Sequence, residues 1–302
     1  NGKLYGTTRL GGSASDGVIF EFDLSTETYQ KLAEFNYNVN GSHPSEYLIQ
    51  ASNGKIYGTT VNDQFNLEGS IFEFDIATNT ITTLHNFNSA TENFPYGKLY
   101  ESTPGKLLGT TYIGGSANGG VIYEYDLVTN TYSIKVDFTP LTGIRPTGSF
   151  GVLNSTTLLG TCFSGGNGAG TIFEYDITTN TLTKKFDFSQ SLGGSPYGNL
   201  TLASNGKWYG GHESGGAHNL GGIFEYNYAT NTVIYPHGFI ISDGKRFRYP
   251  FVELAAGLLT GTNASNGTYV GGVLFEYNIT STAFTKKMEF GSSDGTQFTG
   301  PL

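Results

Sequence analysis

The chain contains one cysteine, one methionine and one tryptophan in 302 residues, and only 14% of its residues are charged. A lone thiol, Cys162, excludes an intrachain disulfide. It stands where other copies of its motif carry Thr8 and Thr60, so it reads as a packing residue rather than a reactive one. Cations are scarce. Lys and Arg number 16 against 25 Asp and Glu, and the net charge of −9 excludes the basic footprint of a general nucleic-acid binder. No run approaches the ~18–20 apolar residues that cross a bilayer as a helix, and no signal peptide is visible. Asn1 is not a translation start, so the chain reads as processed or as an excerpt of a longer one. No GxSxG, phosphate loop or paired-carboxylate signature is present.

What is abundant is Gly, at 44 residues, together with Asn, Thr and Ser, and aromatic residues at 14%. That balance fits an extracellular all-β surface, where turns and hydroxyls face water. The residues are arranged in a repeat, clearest from Asn53 to Phe87. A run from Lys55 to Thr60, a loop, a second run from Ser70 to Asp75, a tight turn and a third run from Ile81 to Phe87 are followed by a strand around Pro95 to Glu101. The motif glycine recurs at Gly6, Gly58, Gly109, Gly160, Gly210 and Gly261, and a proline at Pro44, Pro95, Pro146, Pro196, Pro250 and Pro301. Six copies of about 51 residues result, over approximately 1–52, 53–104, 105–154, 155–204, 205–255 and 256–302.

Four short strands per copy at this period predict an all-β fold, a six-bladed β-propeller of four-stranded antiparallel blades forming one domain over 1–302. A solenoid is the competing architecture, but its repeats are usually shorter. The numbering opens on the second strand of a blade and closes on the start of a first strand. The closing blade is therefore expected to be shared between the termini, with the chain continuing beyond Leu302.

Asn53-Gly54 and Asn205-Gly206 predict type I′ hairpins between strands one and two. Asp23, Asp75, Asp126 and Asp176, with Asn227 and Asn278, predict Asx turns between strands three and four; one carboxylate per turn is too few for calcium. The longer connections, Arg9 to Gly17 and Asn36 to His43 in the first copy, share the opposite rim, where binding surface is expected.

The recurring Glu21, Glu73, Glu124, Glu174, Glu225 and Glu276 read as structural carboxylates held by Thr, Tyr or backbone donors. Function is expected where copies differ. Around the repeating proline, His43, Phe94, Tyr96, Arg145, Tyr197, Tyr249 and Phe251 are candidate ligand-binding residues. The aromatic ones suit stacking on sugar rings, or else plug the channel by packing on one another. Lys245, Arg246 and Arg248 form the densest basic cluster and suit an anionic glycan or carboxylate, or are simply solvated. His212, Glu213, His218 and His237 match no standard zinc spacing, so no metal or other cofactor is expected. If the chain is an enzyme, His212 as base with Tyr249 and Arg248 would serve a polysaccharide lyase.

The lines NGKLYGTTRLGGSASDGVIFEFDL and GKLLGTTYIGGSANGGVIYEYDLVTNT resemble the extracellular tandem repeat first described in Gloeobacter and Verrucomicrobia, and the layout is similar to kelch repeats. The resemblance spans the chain and is weakest in NDQFNLEG of the second copy and in the fifth copy. It implies a secreted or cell-surface bacterial protein and carries no catalytic residues to transfer. Three functions are therefore expected in turn: a ligand-binding or adhesion module, with a glycan or surface protein as partner; a polysaccharide lyase or hydrolase using fifth-copy residues; or a structural interaction module.

Overall fold

The computed structural model describes residues 2–61, 69–88, 91–247, 249–265 and 271–291. They form six antiparallel sheets, the six blades of a β-propeller. The helical pieces among the described residues are Tyr37–Asn40 and the 3₁₀ turn Ile241–Asp243. Contacts divide the chain into two compact units, Asn1–Phe138 and Thr139–Leu302.

In the first unit, Lys3–Thr8, Val18–Asp23 and Thr28–Glu34 form the first sheet. Ile49–Gln50, Ile56–Thr60, Ser70–Asp75 and Thr80–Asn86 form the second, and Glu92–Thr103, Lys106–Gly114, Val121–Asp126 and Thr131–Asp137 the third. The strand expected to complete the first sheet falls after Phe290, and Pro301 and Leu302 lie outside the described residues. In the second unit, Gly194–Leu202, Trp208–Ser214, Gly222–Asn227 and Thr232–Gly238 are one sheet. The other two have a divided proline strand: Ile144–Pro146 and Gly151–Val152 both pair with Thr157–Ser164, and Lys245–Phe247 and Val252–Ala255 both pair with Leu258–Ser265. Thr171–Asp176 and Thr181–Asp187 complete the first of these, Val273–Asn278 and Phe284–Glu289 the second.

Every sheet is a meander in chain order, so the tight turns of each blade lie at one end and its long connections at the other. The motif glycine has a packing reason. Gly160 pairs with Phe173 across the sheet, and a Cβ there would lie 2.3 Å from Phe173 Cζ. Gly58 and Phe72 repeat the arrangement, with 2.6 Å. The ring lies over the backbone where a side chain is missing, so glycine and aromatic are one packing unit on adjacent strands.

A second glycine ends each long connection between strands two and three. Gly170 has φ +97°, and a Cβ there would lie 2.5 Å from both Cys162 O and Pro196 Cδ. The recurring proline of one blade thus seats on the bare backbone of the blade before it. Gly17 with Pro44 and Gly69 with Pro95 do the same, at 2.6 and 2.8 Å. The residue before the proline takes positive φ at His43, Phe94, Arg145 and Ser195, between 54° and 61°.

The AsnGly bends are not type I′, because Asn53 keeps a negative φ and only Gly54 is positive, at 82°. Gly54 N donates to Ala51 O and Ala51 N to Lys55 O, a three-residue loop in which glycine supplies the left-handed position. Asn53 is needed for its amide: Oδ1 accepts from Lys55 N at 3.1 Å and Nδ2 donates to Tyr57 Oη at 2.7 Å. The Asx turns do form. The side chains of Asp23, Asp75, Asp126 and Asp176 accept turn amides at 2.8–2.9 Å, and Asn227 and Asn278 do so at 3.0 Å.

The strand-three glutamates are held by lysine and tyrosine rather than by threonine or backbone. Lys55 lies 2.6 Å from Glu73, which also accepts from Tyr57 Oη at 2.7 Å, and Glu225 has the same pair in Lys207 and Tyr209. Glu174 instead accepts from Tyr228 Oη of the following blade at 2.6 Å.

Candidate functional site

The long-connection end of the second blade holds a recess of about 340 Å³ within the first unit. Its lip is the helical turn Tyr37–Asn40, which exists because Asn36 caps it: Asn36 Oδ1 accepts from Asn38 N at 3.0 Å. Asp16 fixes the approach by accepting Tyr37 N at 2.8 Å. The walls are strand ends. Thr60 closes strand two, Ser70 opens strand three, Thr83 and Asn86 come from the outer strand, and Phe87 follows it. The Thr60, Ser70, Thr83 and Asn86 side chains share one face because residues paired across the sheet point the same way: Ser70 is opposite Thr60 and Asn86, and Phe72 opposite Thr83.

Thr60 Oγ1 and Ser70 Oγ bond each other at 2.8 Å, and Ser42 is buried at the edge. Thr83 Oγ1 is buried without a hydrogen-bond partner. Phe87 is buried, its ring packed edge-on against Tyr123 and Tyr132 in the neighbouring core cluster, and Tyr37 is a half-exposed ring at the entrance. Among the described residues, no Asp, Glu, Lys, Arg or His lines the recess. Sequence reasoning placed binding on this rim but singled out none of these residues. The Asn36 to His43 connection was the available signal.

The residues nominated around the prolines are dispersed. His43 is half-buried, with Nδ1 3.1 Å from Ser42 Oγ; Phe94 is partly buried and Arg145 exposed. Tyr197 meets Phe163 edge to face, with ring centres 6.0 Å apart. Phe251 is a correction: it is buried in a core cluster, 4.5 Å from the Phe247 ring, and has no face to offer a ligand. Tyr249 is buried as well. Tyr96 pairs with Thr110 through its backbone, and Lys245 is half-buried; the side chains of Tyr96 and Arg246, and all of Arg248, lie outside the described residues.

His212 is likewise not placed for solvent chemistry. It is 1% exposed, with Nδ1 2.8 Å from Ser214 O and Nε2 buried without a hydrogen-bond partner, and the Tyr235 ring is 5.4 Å away. A Cβ at Gly193 or Gly222 would come within 2.8 and 3.0 Å of its ring, so these glycines make the slot it occupies. Burial pushes it down to about 4. Below its ordinary value of about 6.5 the unfolded chain gains a proton that the folded chain refuses until about pH 4. Stability therefore falls as pH drops through that window, by at most about 1.4 kcal/mol per pH unit from this group. His212→Thr, the residue of Thr60 in the second blade, should flatten the decline in urea midpoint between pH 7 and 5 relative to wild type. Parallel curves would show the imidazole is not excluded from protonation.

Two other histidines sit in matching surroundings, two residues before the outer-strand Phe. His85 stacks on Tyr132 of the next blade at 3.9 Å with an interplanar angle of 2°, and its Nε2 is 3.6 Å from the buried Glu92 carboxylate. His237 stacks on Phe284 at 4.4 Å and 3°, with Nε2 3.1 Å from Asp243. Burial lowers the His85 pKa while Glu92 opposes the shift. The sequence signal is the equivalent position in other copies, Ala33, Val136, Phe186 and Met288, where no imidazole occurs. His212, Glu213, His218 and His237 do not converge, and no group of three or more His, Cys, Asp or Glu suited to a metal occurs among the described residues.

The Gloeobacter/Verrucomicrobia repeat model matches residues 1–167 and 105–302, the whole chain. The chain belongs to this repeat family. No curated protein is significantly similar in sequence to this Gloeobacter/Verrucomicrobia repeat protein. Among solved structures it is similar to oligogalacturonate lyase from Vibrio parahaemolyticus, with 11% identity and TM-score 0.61 over 99% of this chain and 78% of that one. A chain of a nidogen/laminin complex gives 12% and 0.59 over 99% and 97%. TolB from Acinetobacter baumannii gives 13% and 0.50 over 94% and 68%. At such identities the likeness between these proteins and the repeat protein is one of fold alone.

Proposed function

We propose that this propeller is a ligand-binding module of a secreted or cell-surface bacterial protein, and that its ligand is a glycan held at the long-connection rim. The observation that supports the reading is the second-blade recess, where the exposed Asn86 amide and the half-exposed Tyr37 ring stand beside buried hydroxyls on a rigid sheet end. Sugar hydroxyls need polar partners and their C–H faces an apolar surface; the Asn86 amide and the Tyr37 ring are one of each. The test is a screen of immobilised neutral and acidic polysaccharides, scored for retention of the protein and for new unsaturated ends. Retention without cleavage is expected. Cleavage would replace binding with the lyase reading, and absence of retention on every polysaccharide would overturn a glycan ligand.

A second reading has its own support. The connections that lead from one blade to the next carry exposed aliphatic tips: Val39 at 76%, Leu141 at 79%, Leu192 at 60% and Ile241 at 70%. Apolar side chains held in water in four of the connections between blades suit contact with a protein partner.

A further inference from the structure

We infer that the outer edge of the second blade is a self-association surface, where strand Thr80–Asn86 pairs antiparallel with the same strand of a second copy of this chain. The inference is independent of the glycan reading, because it uses the edge of the strand and not the recess. Thr80–Asn86 is the last strand of its sheet: it pairs with Ser70–Asp75 on one side, and among the described residues no strand pairs with its other side. Such an edge leaves a row of N–H and C=O groups for another chain to meet, and proteins usually guard it with lysine or proline.

Five of the six outer strands are guarded. Lys31, Lys135, Lys185, Pro236 and Lys287 stand at or beside the β-bulge that each of those strands carries. Lys135, Lys185 and Lys287 also hold the strand-three glutamates Glu124, Glu174 and Glu276 at 3.1–3.3 Å, so a chain laid along these edges would bury ion pairs. Pro236 has no N–H to offer. The second blade has Thr83 and Leu84 at the matching place, in the run Thr-Ile-Thr-Thr-Leu-His-Asn, which contains no Lys, Arg, Asp, Glu or Pro. Its one titratable side chain, His85, is turned onto the Tyr132 ring. The run is rich in β-branched residues, and Thr80 and Thr82 are exposed.

The charge pattern chooses a second copy as the occupant. In a two-fold antiparallel pair an edge meets itself, so a lysine-bearing edge meets lysines, whereas this one meets only Thr, Ile and Leu, and threonines opposite one another can hydrogen-bond. The carboxylates one strand further in, Glu73 opposite Thr82 and Asp75 opposite Thr80, both lie against Lys55, at 2.6 and 3.3 Å. Across joined edges Glu73 and its copy would be three strand spacings apart, about 14 Å and beyond the Debye length of about 8 Å at physiological salt. The free run is short. It extends from Thr80 to Thr83 before the bulge, and Leu84 O already accepts from Tyr125 Oη of the next blade at 3.3 Å. One such strand pair buries less than the interface of a permanent dimer, so the association is weak and concentration-dependent.

The experiment is sedimentation velocity of the full chain from micromolar to millimolar concentration, with amide hydrogen exchange followed at both ends of the range. Dimer should appear as concentration rises, and exchange across residues 80–86 should slow with it. Thr82→Lys puts a cation opposite Glu73 within each copy, which the fold tolerates, and brings like charges together across the paired edges; it should weaken association at least about tenfold. Thr183→Lys, the same change opposite Glu174 on the guarded fourth blade, should leave association unchanged. Thermal melts of both variants establish that they are folded. A monomer at every concentration overturns the inference, as does a dimer that Thr82→Lys leaves intact or that protects a different segment. Protection of 80–86 produced only by adding a synthetic Thr-Val repeat peptide, with the chain itself monomeric, overturns the second copy and assigns the edge to an extended peptide.

Discussion

Gly170→Ala should destabilise the protein by about 3 kcal/mol or more, whereas Gly54→Ala should cost about 1 kcal/mol, although both glycines have positive φ. At Gly54, with φ +82°, an added Cβ meets nothing within 4 Å, so only the left-handed backbone penalty remains. At Gly170 the new methyl would lie 2.5 Å from a backbone carbonyl and 2.5 Å from the ring of Pro196. Neither neighbour is the free end of a side chain, so the long connection or the first strand of the next blade must shift. Urea unfolding of the two variants measures the difference. Equal costs would mean that the glycine and proline of successive blades do not touch, and the proposed reason for the recurring proline would fall.

Phe173→Ala should cost about 3–5 kcal/mol, the usual range for emptying a buried ring site. A sharper result comes from combining it with Gly160→Ala. Alone, Gly160→Ala forces a methyl into the Phe173 ring, 2.3 Å from Cζ, and should cost about 1–3 kcal/mol. With the ring gone, the same methyl enters the vacated space and should be nearly neutral. The interaction energy of the double-mutant cycle is then of the same size as the single Gly160→Ala cost. Additive effects would show that the glycine serves its own backbone and not the ring across from it.

The fold was legible because one constraint is written six times. Gly58 and Phe72, or Gly160 and Phe173, cannot be explained by either residue alone, but their spacing announces four short strands per copy, and the Asp of each strand-three end marks its turn. The recess was illegible for the opposite reason. Thr60, Ser70, Thr83 and Tyr37 belong to four separate elements, and three of them occupy positions of the repeating strands, so nothing along the chain distinguishes them as lining.

The sequence's irregularities were a poor guide to exposure. His212 departs from a motif Thr, yet the departure fits a slot made by Gly193 and Gly222, and its ring faces the interior. Phe251 was read as a rim aromatic from its place after a proline. In that blade the proline strand is divided at this point, and the ring turns into the cluster with Phe247 and Phe275. The AsnGly bends were misjudged in type because a dipeptide does not reveal loop length; the bond from Ala51 N to Lys55 O does.

The Asx turns have a wider consequence. Each exposed bend between strands three and four has its leading amide already occupied by the Asp or Asn that opens it. A protease or an unfolded chain seeking an idle strand edge needs such amides to be available. That end of the blades accordingly offers fewer idle amides than its exposure suggests.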